Sequence, residues 1–205
     1  MTILDIEKEL KKVTQMPAWG RKQTDDWDRD SSFIYRCRTY EELLKELQKN
    51  KDSDDFKNYV IHRWYNAMSA SGVEMIFTSH PNVYAQMNKF DKLIDFSIEG
   101  VTFDHKTTVF PKGFGKNIEY AKQNPIELIH WLYQMQSTQG RFHLENRLFV
   151  VLYSSDGNHW KLRSELSALK SIIDSYVKNF DATKLHQCAF QKEKITLSDI
   201  IWFQK

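Results

Sequence analysis

Two aspartates and a lysine lie in the chain at a spacing that could support metal-ion chemistry. Asp95 and Asp104 flank the dipeptide Glu99-Gly100, and Lys106 follows two residues after the second aspartate. If Glu99 and Gly100 form a two-residue turn, the flanking residues pair as a β-hairpin and Asp95 lies opposite Asp104. Because side chains alternate along a strand, Lys106 shares their face. The pattern therefore predicts two carboxylates and an amine on one polar face.

Facing carboxylates repel each other, so this arrangement needs a compensating cation or a raised pKa. Sites rich in oxygen ligands suit Mg²⁺ or Mn²⁺, and such an ion can activate a water and stabilise charge on a scissile phosphate. Lys106 would face the same ion and help to position or deprotonate the attacking water. In the competing interpretation Asp95 and Asp104 are ordinary solvated strand residues, and Lys106 balances their charge. His105 falls on the opposite, apolar side of the strand.

The spacing of apolar and capping residues predicts the elements that hold this hairpin. A Thr-x-x-Glu capping box at Thr39 marks one helix start, and Pro125 marks another. Predicted helices cover residues 3–15, 39–49, 56–77, 125–136 and 162–177, with an irregular connection at 25–38. Predicted strands cover residues 92–98, 101–110, 148–153 and 200–203.

Length and composition favour one globular domain that spans residues 1–205. The chain has 41% hydrophobic residues but no apolar run long enough for a membrane span, and its amino terminus is a charged amphipathic segment. A soluble, cytoplasmic protein without a membrane partner is expected. Cys37 and Cys188 lack CxxC spacing, which argues against a disulfide framework or a cysteine zinc site. A net charge of +2 decides nothing about nucleic acid.

The segment from Asp95 to Lys106, DFSIEGVTFDHK, resembles the PD-(D/E)xK motif of restriction-endonuclease-like nucleases. An acid, a short hairpin and then acid-x-lysine is the family's arrangement, although Ile94 replaces the proline and the middle acid is Asp rather than Glu. The order of elements over residues 56–153 also resembles the family core of helix, three-strand meander, helix and strand. The resemblance implies an α/β fold with a mixed central sheet flanked by helices (αβββαβ). Extra helices would precede this core, and a helix and strand would follow it.

The resemblance also implies a metal-dependent phosphodiesterase, an endonuclease-like enzyme that uses Mg²⁺ or Mn²⁺. DNA is the favoured substrate of the leading hypothesis, although the sequence does not distinguish DNA from RNA. Asp95 and Asp104 would be metal ligands, and Lys106 would lie at the nucleophilic water. Members of the family often carry a further acid on the helix before the sheet. Glu74 takes that place as a candidate catalytic residue and metal ligand, with Arg63 as the alternative partner of its carboxylate. A homodimer is compatible with this assignment.

Two competing hypotheses remain open. In the first, the chain keeps the nuclease fold as a nucleic-acid-binding or interaction module without turnover. In the second, it is an unrelated α/β domain with an ordinary hairpin.

Weaker candidates for nucleic-acid contact lie on the carboxyl side of the motif. The segment Lys112-Gly-Phe-Gly-Lys116 lacks the spacing of a phosphate loop and is predicted to be a turn near the site. Gln134, like Gln136, resembles glutamines that some of these nucleases carry on the corresponding helix. The candidates are Lys112, Lys116, Gln134, Arg141 and Arg147, with His143 between the two arginines. Solvated polar and basic surface is the alternative for each, and Trp131 is assigned to the core rather than to base stacking.

Overall fold

The structure is a computed structural model that describes residues 1–18, 25–49, 53–88, 93–135, 144–191 and 194–205. The chain forms two compact units, one of Met1–Gly72 with Arg163–Ser167 and the other of Val73–Leu162 with Ala168–Lys205. The prediction of a single domain over residues 1–205 stays a prediction. Within the described ranges, no helix has the length and apolar character needed to cross a bilayer.

The first unit is helical. Its helices are α1 (Ile3–Leu10), α2 (Asp25–Asp30), α3 (Tyr40–Lys49) and the part of α4 (Asp54–Thr78) that ends at Gly72. The predicted capping box of α3 is confirmed, because the main-chain nitrogen of Glu42 donates to Thr39 Oγ1 and that of Thr39 donates to Glu42 Oε2, both at 3.2 Å. The predicted helix over residues 3–15 ends early, at Leu10, and α2 lies in a segment predicted to be irregular.

The second unit contains one mixed six-stranded sheet in the order β1-β2-β3-β4-β6-β5. The strands are β1 (Val83–Ala85), β2 (Phe96–Ile98), β3 (Val101–Val109), β4 (Arg147–Tyr153), β5 (His186–Gln191) and β6 (Lys194–Gln204). Strand β4 runs parallel to both β3 and β6, and the other pairs are antiparallel. The helices are α5 (Ile118–Gln123), α6 (Pro125–Met135) and α7 (Leu166–Lys178), the last contributing from Ala168 onward. The α/β class and the mixed sheet are therefore confirmed.

The β2–β3 hairpin has the predicted register. Phe96 pairs with Phe103 and Ile98 with Val101 across the turn. Glu99 (φ 49°) and Gly100 (φ 87°) both have positive φ, as the tight turn of a two-residue hairpin requires. The predicted strand over residues 92–98 begins later than expected, at Phe96, and residues 89–92 lie outside the described part of the chain.

Apolar side chains cover both faces of the sheet. On one face Phe77 of α4 stacks on Phe96, with ring centroids 4.6 Å apart. On the other face α5 and α6 pack on β4, whose first six residues are all buried, as expected of its apolar sequence. The buried residues of the cluster on this second face are Phe110, Ile118, Ala121, Leu128, Ile129, Leu132, Tyr133, Leu144, Phe149, Val151, Cys188 and Ile200. The packing fixes the position of β3, the strand that carries Asp104 and Lys106.

Strands β1 and β5, helix α5 and the first half of β6 were not predicted. Strand β1 has only three residues, and β5 mixes small, polar and aromatic residues without clear alternation. Such segments become strands because a neighbouring strand offers its unpaired main-chain groups, which local propensity does not record.

Because Gly100 has a positive φ, adding a methyl side chain at this position should destabilise the hairpin turn. We expect Gly100→Ala to lower the free energy of unfolding by about 1–2 kcal/mol, because an L side chain is strained in this conformation. Glu99→Asn, which alters the neighbouring turn residue, should be neutral or stabilising because Asn tolerates positive φ. Urea unfolding followed by circular dichroism measures both, and equal losses for the two variants would contradict this account of the turn.

Candidate acidic site at the β2–β3 hairpin

Asp104 is a buried carboxylate with two cationic partners. Its side chain is 6% exposed, and its Oδ2 accepts a hydrogen bond of 3.0 Å from Nε of Arg147, which is 7% exposed. Arg147 begins β4 and lies directly opposite Asp104 in the parallel pair of β3 and β4. Its guanidinium also lies over the ring of Tyr133, 4.6 Å from the centroid. Arg147, a candidate for phosphate contact with solvated basic surface as the alternative, is instead buried, because it pairs with Asp104 and lies against the ring of Tyr133.

Lys106 forms the second ion pair of Asp104. Its amino group donates to Asp104 Oδ1, as the alternation along β3 predicts. The side chain is 41% exposed, so the amine remains open to solvent. The positive charge of Lys106 also contributes to lowering the pKa of Asp95. Lys106 therefore acts electrostatically on both aspartates of the motif.

Asp95 lies one residue before β2 and is held by His105. Its Oδ2 accepts a hydrogen bond of 2.7 Å from the main-chain nitrogen of His105 and lies 3.2 Å from the ring Nδ1. Burial acts to raise the pKa of Asp95, but the hydrogen bonds and charge of His105, together with the charge of Lys106, outweigh it and lower the pKa. Asp95 thus turns its carboxylate to a nitrogen donor rather than to Asp104, because facing carboxylates repel.

His105 is a functional candidate that the motif alone did not reveal. It lies on the apolar side of β3 as predicted, with its ring centroid 6.0 Å from that of Phe96 and 6.2 Å from that of Phe77. Among the described residues its buried Nε2 has no hydrogen-bond partner. A histidine between the second acid and the lysine, beside an acid on the paired strand, is the sequence signal that could have found it.

Glu74 is a half-buried acid on α4 near this pair. Burial raises its pKa, and the negative charge of Asp95 raises it further, against an opposing contribution from His105. Arg63, the alternative partner, instead pairs with Asp28, with Nε 3.3 Å from Oδ1. Within the described ranges the Glu74 carboxylate has no hydrogen-bond or ion-pair partner.

The carboxylates of Glu74, Asp95 and Asp104 are of the kind that a hard cation binds, but no contact among the described residues joins Asp104 to the other two acids. Carboxylate oxygens suit Mg²⁺ or Mn²⁺, and the unpartnered Glu74 beside the anionic Asp95 is the feature that a cation would relieve. Both oxygens of Asp104 already accept hydrogen bonds, although a carboxylate has about four acceptor positions. In the part of the chain that the structure describes, no three His, Cys, Asp or Glu side chains are grouped so that they could hold a metal ion.

The other described candidates for nucleic-acid contact lie away from these acidic residues. Lys112 and Lys116 are exposed in the turn that follows β3, and Gln134 is exposed on α6. Arg141, with Gln136 and His143, lies outside the described residues. The structure therefore places Glu74 and Asp95 near His105, pairs Asp104 with Lys106 and Arg147, and leaves the loop lysines apart from both sets.

No known protein family, curated protein or solved structure matches the chain.

The burial of the Asp104–Arg147 ion pair leads to a prediction about the free energy of unfolding. Asp104→Asn should lower the free energy of unfolding by about 3–5 kcal/mol, because it leaves a buried guanidinium without its anion. The double variant Asp104→Asn/Arg147→Met should recover much of this loss. Asp174→Asn is a suitable control, since Asp174 is 37% exposed and binds His80 and Lys170, and it should cost less than about 1 kcal/mol.

Chemical denaturation of the wild type, the single variants Asp104→Asn and Arg147→Met, and the double variant measures these differences as a double-mutant cycle, with Asp174→Asn measured beside them. A double variant no more stable than Asp104→Asn would contradict the assignment.

Proposed function

We propose that this chain is a metal-dependent nuclease that hydrolyses phosphodiester bonds of DNA, with a site of the PD-(D/E)xK type at the β2–β3 hairpin. One observation carries the proposal: the half-exposed amine of Lys106 binds Asp104 and acts electrostatically on Asp95. A second acid, Glu74, lies near Asp95 with a raised pKa. Carboxylates with perturbed pKa values, here Asp95 and Glu74, are candidates for a functional site.

The order of elements supports the same proposal. Helix α4 is followed by an antiparallel meander of β1, β2 and β3, then by α5 and α6, and then by β4 parallel to β3. This is the order of a restriction-endonuclease-like core, with Asp95 before the second strand and Asp104 and Lys106 on the third. Helices α1 to α3 precede that core, and α7, β5 and β6 follow it.

The proposal gives each residue a role. Glu74, Asp95 and Asp104 would hold Mg²⁺ or Mn²⁺, which when bound would supply a Lewis acid for the scissile phosphate. Lys106 can orient a water and neutralise charge that develops on phosphate oxygens. His105 is a positioning residue, because its main-chain and ring nitrogens fix the carboxylate of Asp95. Arg147 fixes Asp104 in the same way from β4.

A thermal-shift experiment tests metal binding without requiring turnover. Millimolar Mn²⁺ should raise the melting temperature of the wild type, because a ligand that binds only the folded state stabilises it. Asp95→Asn should abolish the shift. The control is Asp174→Asn, since both aspartates face a histidine ring and are similarly exposed, at 34% and 37%. A full shift in Asp95→Asn, or no shift in the wild type, would count against the metal site.

Cleavage is tested best through Lys106, because substitution of the buried Asp104 also removes a structural ion pair. Lys106→Gln should slow nicking of supercoiled plasmid by about 100-fold or more in Mg²⁺, the usual range for loss of a proton-transfer group. Lys170→Gln is the matched control, since Lys170 is 43% exposed and also binds an aspartate. It should cleave like the wild type. Equal activity of the two variants would remove Lys106 from the chemistry.

One observation favours a second candidate, a nucleic-acid-binding or interaction module without turnover. Both oxygens of Asp104 are already compensated by Lys106 and Arg147. A metal is therefore not needed to balance the charge of this carboxylate. This candidate would be supported if the wild type binds DNA but does not nick plasmid and its melting temperature does not change with Mn²⁺.

A further inference from the structure

A cleft with aromatic walls lies in the second unit, beyond the carboxyl end of β3. It has a volume of about 350 Å³ and opens between the turn at Lys112–Phe114 and the outer face of α6. This volume lies within the range of small-molecule sites, roughly 300–1,000 Å³. Its lining includes Phe114 and Lys116 on one side and His130, Trp131 and Gln134 on the other. None of these residues belongs to the acidic site.

The aromatic walls are held in place by the core beneath them. Phe114 and Trp131 are partly buried against the cluster on this face of the sheet, with ring centroids 6.3 Å apart and ring planes at 78°. Gly113 permits this arrangement, because a Cβ there would lie 3.0 Å from Cζ2 of Trp131. The assignment of Trp131 to the core was therefore incomplete, since part of its ring faces the cleft.

The cleft is lined by one lysine, Lys116, and one acid, Glu127, and the exposed Lys112 lies in the adjoining turn. Lys112 and Lys116 are exposed, and neither forms an ion pair with any described residue. The amino group of Lys116 lies 5.3 Å from the ring centroid of Tyr120. The acid that lines the cleft, Glu127, accepts hydrogen bonds of 3.0 and 3.1 Å from the hydroxyl of that tyrosine. The two lysines are thus free to meet an anion.

We propose that this cleft binds one unstacked base and the adjacent phosphate of a single-stranded nucleic acid. The base lies against Trp131 and Phe114, because every base has a π-face that stacks on aromatic rings. The phosphate lies at Lys116, with Lys112 beside it. His130 and Gln134 offer hydrogen-bonding groups to the edge of the base. This inference does not depend on cleavage at the acidic site.

Fluorescence anisotropy of a short labelled oligothymidylate, measured in EDTA so that no cleavage occurs, tests the proposal. Trp131→Leu should weaken binding by about five- to 100-fold through loss of stacking. It should leave the slope of log K against log salt unchanged. Lys116→Gln should reduce the magnitude of that slope by about 0.7, because one phosphate contact is lost. The two variants therefore separate stacking from charge.

The matched control is Trp160→Leu. Trp160 also has a lysine over its ring, with Nζ of Lys161 5.8 Å from the centroid, but it does not line the cleft. It should bind like the wild type. Lys170→Gln, which changes a lysine outside both the cleft and the acidic site, should also bind normally. Because binding is measured in EDTA, without the metal that cleavage requires, failure of this inference is distinguishable from failure of the nuclease proposal. If Trp131→Leu does not fold, as judged by circular dichroism, the exposed Lys116→Gln and Gln134→Ala carry the test.

Competition experiments identify the source of the base and phosphate. Displacement by unlabelled single strand but not by adenosine monophosphate supports the polymer. Equal displacement by the mononucleotide would overturn the assignment of a single-stranded polymer and identify a free nucleotide as the ligand of the cleft. Absence of binding by the wild type, tighter binding of duplex than of single strand, or unaltered binding by Trp131→Leu would each overturn the proposal.

Discussion

A carboxylate removed from water must be matched by cationic or N–H partners, and Asp104 is the residue at which this requirement shapes the second unit. Arg147 supplies the match from the first position of β4, directly across the parallel pair. Tyr133 of α6 in turn covers the guanidinium. One buried ion pair therefore ties the hairpin to the parallel part of the sheet. The position of Lys106 follows from it, because its amine binds the other oxygen of the same carboxylate.

Asp95 and Glu74, the other two acids of the proposed site, differ in how their charge is compensated. Asp95 has N–H donors from His105, so its charged form is stabilised despite burial. Glu74 has no comparable partner among the described residues, and the charge of Asp95 acts against its ionisation. An acid in that state lowers the stability of the fold unless a cation or a proton compensates it. The proposed metal would supply that compensation at Glu74, for which the described residues do not.

Strand β3 connects the two surfaces for which functions are proposed. Its first half carries Asp104 and Lys106, and the turn after its last residue carries Lys112 and Lys116. The packing of α5 and α6 on the sheet holds that turn against Trp131. A nucleic-acid strand that occupied both surfaces would therefore be positioned by elements that share one core.

The sequence by itself determined the local features of this protein. Glu99-Gly100 specifies a tight turn, the turn fixes the register, and alternation places Lys106 beside Asp104. Those features depend on backbone preferences and on a period of two, which neighbouring residues encode. Only the tertiary structure decided that Arg147, distant in the chain, neutralises Asp104 and that His105 takes the carboxylate of Asp95. The choice of partner for a charge depends on which strands and helices pack together, and no local pattern contains that information.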